Sequence, residues 1–357
     1  MDRYLTTRRQ ALKTMLGGAG AVMLGGPVLL AACGDDDDAA SEPDAGGSGG
    51  SGELTPTGLQ LSWTHSVQFG GSYLAVDRGY YEAEGLDITL SPGGPNVAGD
   101  AQTVSGQVLM NISSGDGVAR SNAEGANLKI VGVQYQKAPA TLLSLAENPI
   151  REPADLVGKS IGVAGTDTPA LDAWAGINDL AEGDFTKVPS QYDPAELVSG
   201  NVDCLFCFYN DLPVALEMQG IEGVTLLLSD FGFNPHAQVY TVRAESLEGD
   251  ERDQIVQLLR AEILGWQDYK TDWEAAAELA VELYPDAGLD LETQKKQAEI
   301  QLDIMYSDLT DEQGFAWFTD EGIQENLELF ALLETEATED LWDRSLLEEI
   351  YADGPTI

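Results

Sequence analysis

YLAVDRGYYEAEGLDITL, residues 73–90, carries a helix, two glycine stops, a tyrosine pair and a strand in one short stretch. The helix covers Gly71–Asp77 and stops at Gly79. Tyr80 and Tyr81 follow, Gly85 makes the second stop, and LDITLS (86–91) reads as a strand. Glycine is the residue that helix ends favour. The tyrosine pair is expected to pack the helix onto the sheet just before that strand, because such rings bury a large apolar body.

Outward from this unit the alternation continues. LQLSW (59–63) is a strand, AGDAQTVSG (98–106) is helical, VLMNIS (108–113) a strand, 116–124 a helix and KIVGVQY (129–135) a strand. A second series begins after ENPIREPADLVGK, with strands 160–165, 186–190, 202–208 and 224–229 between helices 168–181, 194–199 and 212–219. Strands that alternate with helices imply parallel sheets covered on both faces, so the fold class is α/β with two similar units. AQVYTVRAESL (237–247) is one further strand, positioned to return to the first sheet. From Arg252 onward the chain is nearly all helical, with apolar residues at i, i+3, i+4 and i+7 in DQIVQLLRAEILGWQDY.

This order predicts two lobes, each with its own sheet, around a cleft, with a helical C-terminal part. Crossings near Ala146–Pro149 and Val239–Val242 place residues 57–148 and 240–357 in lobe 1 and 149–239 in lobe 2. Sheets of this kind bind ligands at the loops after the C-terminal strand ends, where helix N-termini offer free N–H groups. Those loops carry Trp63, His65, Ser113, Ser114 and Asp116 in lobe 1, and Thr166, Asp167, Tyr209 and Asn210 in lobe 2. Tyr73 joins Trp63 as an aromatic candidate for the cleft.

The N-terminus has a different character. Arg8 and Arg9 precede an apolar, glycine-rich run, Leu16–Leu30, which ends at Leu30-Ala31-Ala32-Cys33. That order reads as an export signal, too short for a comfortable membrane span, with a lipobox that would lipidate Cys33. TRRQALK is similar to a twin-arginine signal. A noncleaved anchor helix is the alternative to lipidation. Residues 34–56, rich in Asp, Gly and Ser and lacking aromatics, cannot bury enough apolar surface to order themselves and form a tether. The body is therefore expected outside the cytoplasmic membrane, anchored by lipid.

Composition excludes whole classes of partner. The 357 residues include 61 Asp and Glu against 18 Lys and Arg, a formal net charge of −43. Nucleic acid needs basic patches that displace counterions, so it is not a partner. His65 and His236 are the two histidines, and Cys204 and Cys207 the thiols of the body. No HExxH, Walker loop, GxGxxG opening a helix or GxSxG elbow appears, so neither enzyme nor cofactor is expected. CLFC lies in an apolar run that reads as a buried strand. Residues three apart on a strand point to opposite faces, which favours core packing over redox or zinc chemistry.

The blocks LSWTHSVQFGGSYLAVDRGYYEAEGLDITLSPGG, VSGQVLMNISSGDGVAR, VGVQYQKAPA, NPIREPADLVGKSIGVAG, LVSGNVDCLF and EILGWQDY follow one another over about residues 57–330. In this order they resemble the sulfonate, nitrate, taurine and thiamine-precursor group of periplasmic binding proteins. The GYY-x3-EGLD block and DLVGKSIGV are the most distinctive parts. The resemblance implies a type II two-lobed clamp, a monomer that delivers a small molecule to an ABC permease in the membrane and performs no chemistry. It also implies a stacking role for Trp63 and, within the group, a flat aminopyrimidine precursor of thiamine as ligand. Where such binders place an acid beyond the VD strand, this chain has Tyr209, Asn210 and Asp211, which leaves a flavin as the other flat heterocycle. Sulfonate, nitrate and taurine are less favoured, because an anion site wants basic donors and the cleft loops carry none. The fungal pyrimidine synthase of the same fold is the enzymatic alternative. It is disfavoured because its cofactor lysine and sacrificed histidine are missing at the matching positions.

Overall fold

The computed structural model describes residues 53–94, 96–164 and 168–357. The expected leader, Cys33, the tether up to residue 52, and Thr166 and Asp167 lie outside the described residues. In chain order the strands are β1 (Thr55–Gln60), β2 (Leu86–Ser91), β3 (Met110–Ser114), β4 (Leu128–Tyr135), β5 (Ala140–Leu145), β6 (Ser160–Ala164), β7 (Thr186–Ser190), β8 (Cys204–Phe208), β9 (Gly223–Leu227) and β10 (Ala237–Arg243). They form two five-stranded sheets, ordered β2-β1-β3-β10-β4 and β7-β6-β8-β5-β9. The two-lobed α/β architecture is that expected from the alternation.

Three details differ from the sequence reading. Both sheets are mixed rather than parallel: β10 runs antiparallel between β3 and β4, and β5 runs antiparallel between β8 and β9. β5 escaped notice because no helical stretch separates it from β4, and an apolar run without such flanks carries no strand signature of its own. The crossings consequently lie at residues 136–139 and 228–236. Ala146–Pro149 follows β5 within the second sheet, and Val239–Val242 sits inside β10. β1 begins at Thr55, inside the stretch read as tether, and ends at Gln60, which leaves Trp63 in the loop beyond the strand.

The divergence of the two thiols is borne out. Cys204 packs with Leu142, Ile161 and Trp174, and Cys207 with Leu143, Leu197 and Leu212, in separate apolar clusters. Burial pushes the Cys204 thiol up to about 12 and holds that of Cys207 well above the ordinary thiol range. Thiols held in this way are structural rather than reactive.

The opening stretch has a partner beyond the sheet that the sequence did not indicate. Tyr80 donates to Asp268 at 2.5 Å and Tyr81 donates to Glu262, both on the long helix Gly249–Leu283, so the pair docks the chain onto that helix while Tyr81 also lies in the apolar cluster of the first sheet, as expected. Close approach there depends on glycine. A Cβ on Gly71 would fall 2.1 Å from Trp266, and one on Gly265 would fall 2.1 Å from the Gly71 carbonyl oxygen. Glu262 is fully buried and accepts from Ser72 (3.0 Å), Tyr240 (2.6 Å) and Trp266 Nε1 (3.3 Å) as well as Tyr81.

Burial holds the Glu262 carboxyl above the ordinary glutamate range, although the four donors oppose the shift. A raised value means that folding favours the protonated group. Its stabilising share is complete below the unfolded-chain value and fades as pH rises through the folded one. The Tm of wild type relative to Glu262→Gln should therefore fall as pH rises from about 4 to 7; a constant difference in thermal melts would refute the shift. Glu262→Ala strands buried donors, and at about 1–3 kcal/mol for such a group the loss should reach about 3 kcal/mol or more, lowering Tm by roughly 6 °C or more.

Candidate functional site

The loops that follow β1, β3 and β8 open at the C-terminal ends of strands that have a parallel neighbour. In the first of these, Trp63 is 48% exposed. Its carbonyl accepts from the Gly93 N–H at 2.8 Å. Gly93 is pressed so close that a Cβ would lie 2.4 Å from the Leu61 carbonyl oxygen. The perch of Trp63 is thus fixed by backbone while its ring faces solvent.

His65, two residues on, stacks on Tyr284 with 3.4 Å between ring centroids and 12° between planes. Its Nδ1 lies 3.2 Å from the Tyr73 hydroxyl. Tyr73, expected in the cleft, is fully buried and reaches the site only through His65. Ser114 caps the Gly115–Ala123 helix, its Oγ accepting from the Gly117 N–H at 3.2 Å. Ser113 and Asp116 stand beside it, partly buried, and Asp116 pairs with Arg120 at 2.6 Å. Across the cleft the Tyr209 N–H donates to the Pro139 carbonyl at 2.8 Å, which ties the end of β8 to the first crossing.

Asn210 meets the first lobe directly. Its Nδ2 donates to Gln301 Oε1 at 3.3 Å, and the Tyr135 hydroxyl donates to the same oxygen at 3.3 Å. Gln301 Nε2 donates to the Gln68 carbonyl (3.4 Å), Gln68 Nε2 to Ser62 Oγ (3.4 Å), and Ser62 Oγ to Gln238 Oε1 (2.9 Å). Gln238 adopts a left-handed φ of 52° at a bulge between Ala237 and Val239. This chain of amides runs from one lobe to the other, and sequence reasoning missed all of it except Asn210. Isolated glutamines on a helix, a strand and a short turn share no motif.

The described cations around the site have carboxylate partners. Lys137 pairs with Asp230 (2.9 Å), Arg120 with Asp116 (2.6 Å), Lys295 with Glu278 (2.9 Å) and Lys296 with Glu217 (3.3 Å). Burial lowers both histidines to about 4. His236 belongs to the second crossing, where its Nδ1 accepts from Trp342 Nε1 at 3.1 Å and its carbonyl accepts from the Gly115 N–H at 2.9 Å.

Two α/β lobes joined by two crossings define the class: the two-lobed fold of the periplasmic binding proteins. The chain belongs to the NMT1/THI5-like family, whose model matches residues 66–276. It is 26% identical over 266 residues to the riboflavin-binding protein RibY of Chloroflexus aurantiacus, covering 72% of this chain and 75% of that one. It is 25% identical over 220 residues to the formylaminopyrimidine-binding protein of Halalkalibacterium halodurans, covering 58% and 64%. In fold it is similar to the sulfonate-binding protein SsuA of Methylobacillus flagellatus, with a TM-score of 0.62, 14% identity and coverage of 84% and 95%. The desulfurization enzyme DSZB shares the fold at a TM-score of 0.56, 16% identity and coverage of 83% and 99%.

His65 should stay neutral far below the usual imidazole range, since its folded value is lowered. Imidazole NMR across pH 7 to 4 should show the His65 ring uncharged until about pH 4. Titration near 6.5, the unperturbed value, would show that the stack on Tyr284 does not exclude water.

Proposed function

We propose that the protein is the extracytoplasmic solute-binding lipoprotein of an ABC importer, and that its ligand is a small, flat, uncharged nitrogen heterocycle held by binding alone. The observation that carries this reading is Trp63, a large ring left half in water beside a chain of neutral amides. A ring face offers stacking, and amide side chains offer both donors and acceptors in the plane of a heterocycle. An anionic ligand such as a sulfonate fits less well, because the described cations around the loops already have carboxylate partners.

Between flat heterocycles, the isoalloxazine of a flavin is favoured over the thiamine pyrimidine precursor. An exocyclic amine wants a carboxylate acceptor. Asp116 and Asp230 are taken by cations, and Asp211 is engaged by the Tyr192 hydroxyl. A flavin edge, with alternating carbonyl and N–H groups, suits amides instead. The relative named for riboflavin covers more of this chain than the one named for formylaminopyrimidine, which supports the same order.

Calorimetric titration of the mature domain with riboflavin and with formylaminopyrimidine tests the proposal. Trp63→Ala should weaken the bound ligand about tenfold or more, since one stacked face is worth about 1 kcal/mol beyond area burial and about 1.4 kcal/mol is one decade. Its Tm should hardly move, because the ring is half exposed. A destabilised variant that binds normally would sink the stacking role.

The lipoprotein part rests on the LAAC sequence ending at Cys33. Cys33→Ala should release the protein from membranes or leave its leader uncleaved. Fractionation showing normal processing with unchanged membrane association would remove lipidation from the proposal.

A further inference from the structure

β4 is the edge strand of the first sheet, and residues 314–317 run beside it, with the Val133 N–H donating to the Ala316 carbonyl at 2.9 Å. On this flank lies a hollow of about 490 Å³ that includes none of the ligand loops. Its walls come from the Asp308–Gln313 helix, Trp317, the Ser345–Ile350 helix and residues 351–355. Two aromatic rings and three carboxylates meet there. Trp317 and Tyr351 both line the hollow, with 6.3 Å between ring centroids and 58° between planes, and Glu312, Glu348 and Asp353 stand around them. Glu348 reaches Arg344 at 3.5 Å, whereas Glu312 and Asp353 have no cation partner among the described residues.

Both rings are held from behind. The Tyr351 hydroxyl donates to the Phe315 carbonyl at 2.9 Å, and Gly314 makes room for the ring, since a Cβ there would collide with it. The Trp317 carbonyl accepts from Gln136 Nε2 at 3.2 Å. The indole already takes one cation: the Arg344 guanidinium lies 5.5 Å from its centroid, within the range of a cation–π contact. Arg344 does not line the hollow, so the part of the ring that does is left for another. An aromatic face attracts a cation through its quadrupole, and nearby carboxylates add to that attraction. A metal ion wants several oxygens close enough to ligate it, and among the described residues no group of three acidic, histidine or cysteine side chains could hold one. Rings backed by separated carboxylates suit instead a bulky cation whose charge is spread over methyl groups.

We propose that this hollow is a second binding site, separate from the cleft, for a small organic cation of the methylated-ammonium class. Trp317 and Tyr351 are its aromatic walls, and Glu312 and Asp353 supply the counter-charge. The site stands whatever the cleft binds. A net charge of −43 raises the concentration of any cation at the surface, and the rings then select the methylated ones from the rest.

The experiment titrates tetramethylammonium into the mature domain, with sodium at equal ionic strength as the control, and follows the indole N–H signals by heteronuclear NMR. Tetramethylammonium should move the Trp317 signal along a saturable curve, and sodium should not. The double variant Glu312→Gln, Asp353→Asn changes two exposed side chains, so it should keep the wild-type Tm and bind about threefold or more weakly. Trp317→Leu, read by calorimetry, should weaken binding about fivefold or more, and Trp317→Phe, which keeps a ring face, should stay within about threefold. Shifts that do not saturate, or that sodium reproduces, reduce the effect to general attraction by an acidic surface and overturn the proposal. Saturation read at Trp63 in place of Trp317 puts the cation in the cleft and overturns it too. Unchanged affinity in the double variant does the same.

Discussion

A buried carboxylate holds the first lobe together. Glu262 lies on the long helix with no exposure to solvent, and it accepts hydrogen bonds from Ser72 on the first helix, Tyr81 beyond it, Tyr240 on β10 and Trp266 one turn along its own helix. A buried charge is costly unless its lone pairs are satisfied, and here four donors from four separate places satisfy it. The same arrangement fixes the register of the long helix against the sheet. Gly71 and Gly265 remove the side chains that would otherwise keep the two helices apart. Tyr80 and Arg78 then fasten the outer edge to Asp268 and Asp272.

The ligand loops inherit their positions from this lock. The loop after β1 leads directly into the helix that Glu262 and Trp266 hold, so Trp63 and His65 stand on a rigid base. The Leu291–Met305 helix packs against the long helix and brings Gln301 to the cleft, where it meets Asn210 of the other lobe. That contact is a single neutral hydrogen bond of 3.3 Å, worth about 1 kcal/mol at most. The lobes are joined by two backbone crossings, and they also meet through the Lys296–Glu217 ion pair at 3.3 Å and through Leu329, which belongs to the apolar cluster of the second sheet.

Much of the fold was legible in the sequence because it depends on periodicity. Nine of the ten strands and the return of β10 to the first sheet follow from alternation and glycine stops, and the family blocks fall where the strands and loops do. β5 was illegible because its apolar run directly follows β4 across a short link, and with it the positions of both crossings were lost. Trp63, His65, Ser114, Tyr209 and Asn210 were legible as candidates because they follow strands. Tyr73 was misplaced because a helical tyrosine near a cleft gives no sign of which way it faces. The partners of Glu262 lie up to 190 residues away from it, a separation that no local pattern reports. The exposure of Phe208 was hidden for the opposite reason: CLFCF reads as a buried strand throughout, and only the fold reveals that its last residue overruns the core.

The acidic surface and the groups at the cleft act on different length scales. A net charge of −43 sets up a long-range field, but ions screen it within about 10 Å at ordinary salt, and more sharply at high salt. Inside the cleft the local groups decide. There the described cations are paired and both histidines are held neutral by burial. A neutral heterocycle experiences little of the outer field, which leaves the surface free to be as acidic as solubility or salt demands. An anion would encounter repulsion on approach, and the described cations beside the loops already hold carboxylate partners, so on the proposed reading the shape and hydrogen-bonding pattern of the ligand, rather than its charge, decide binding.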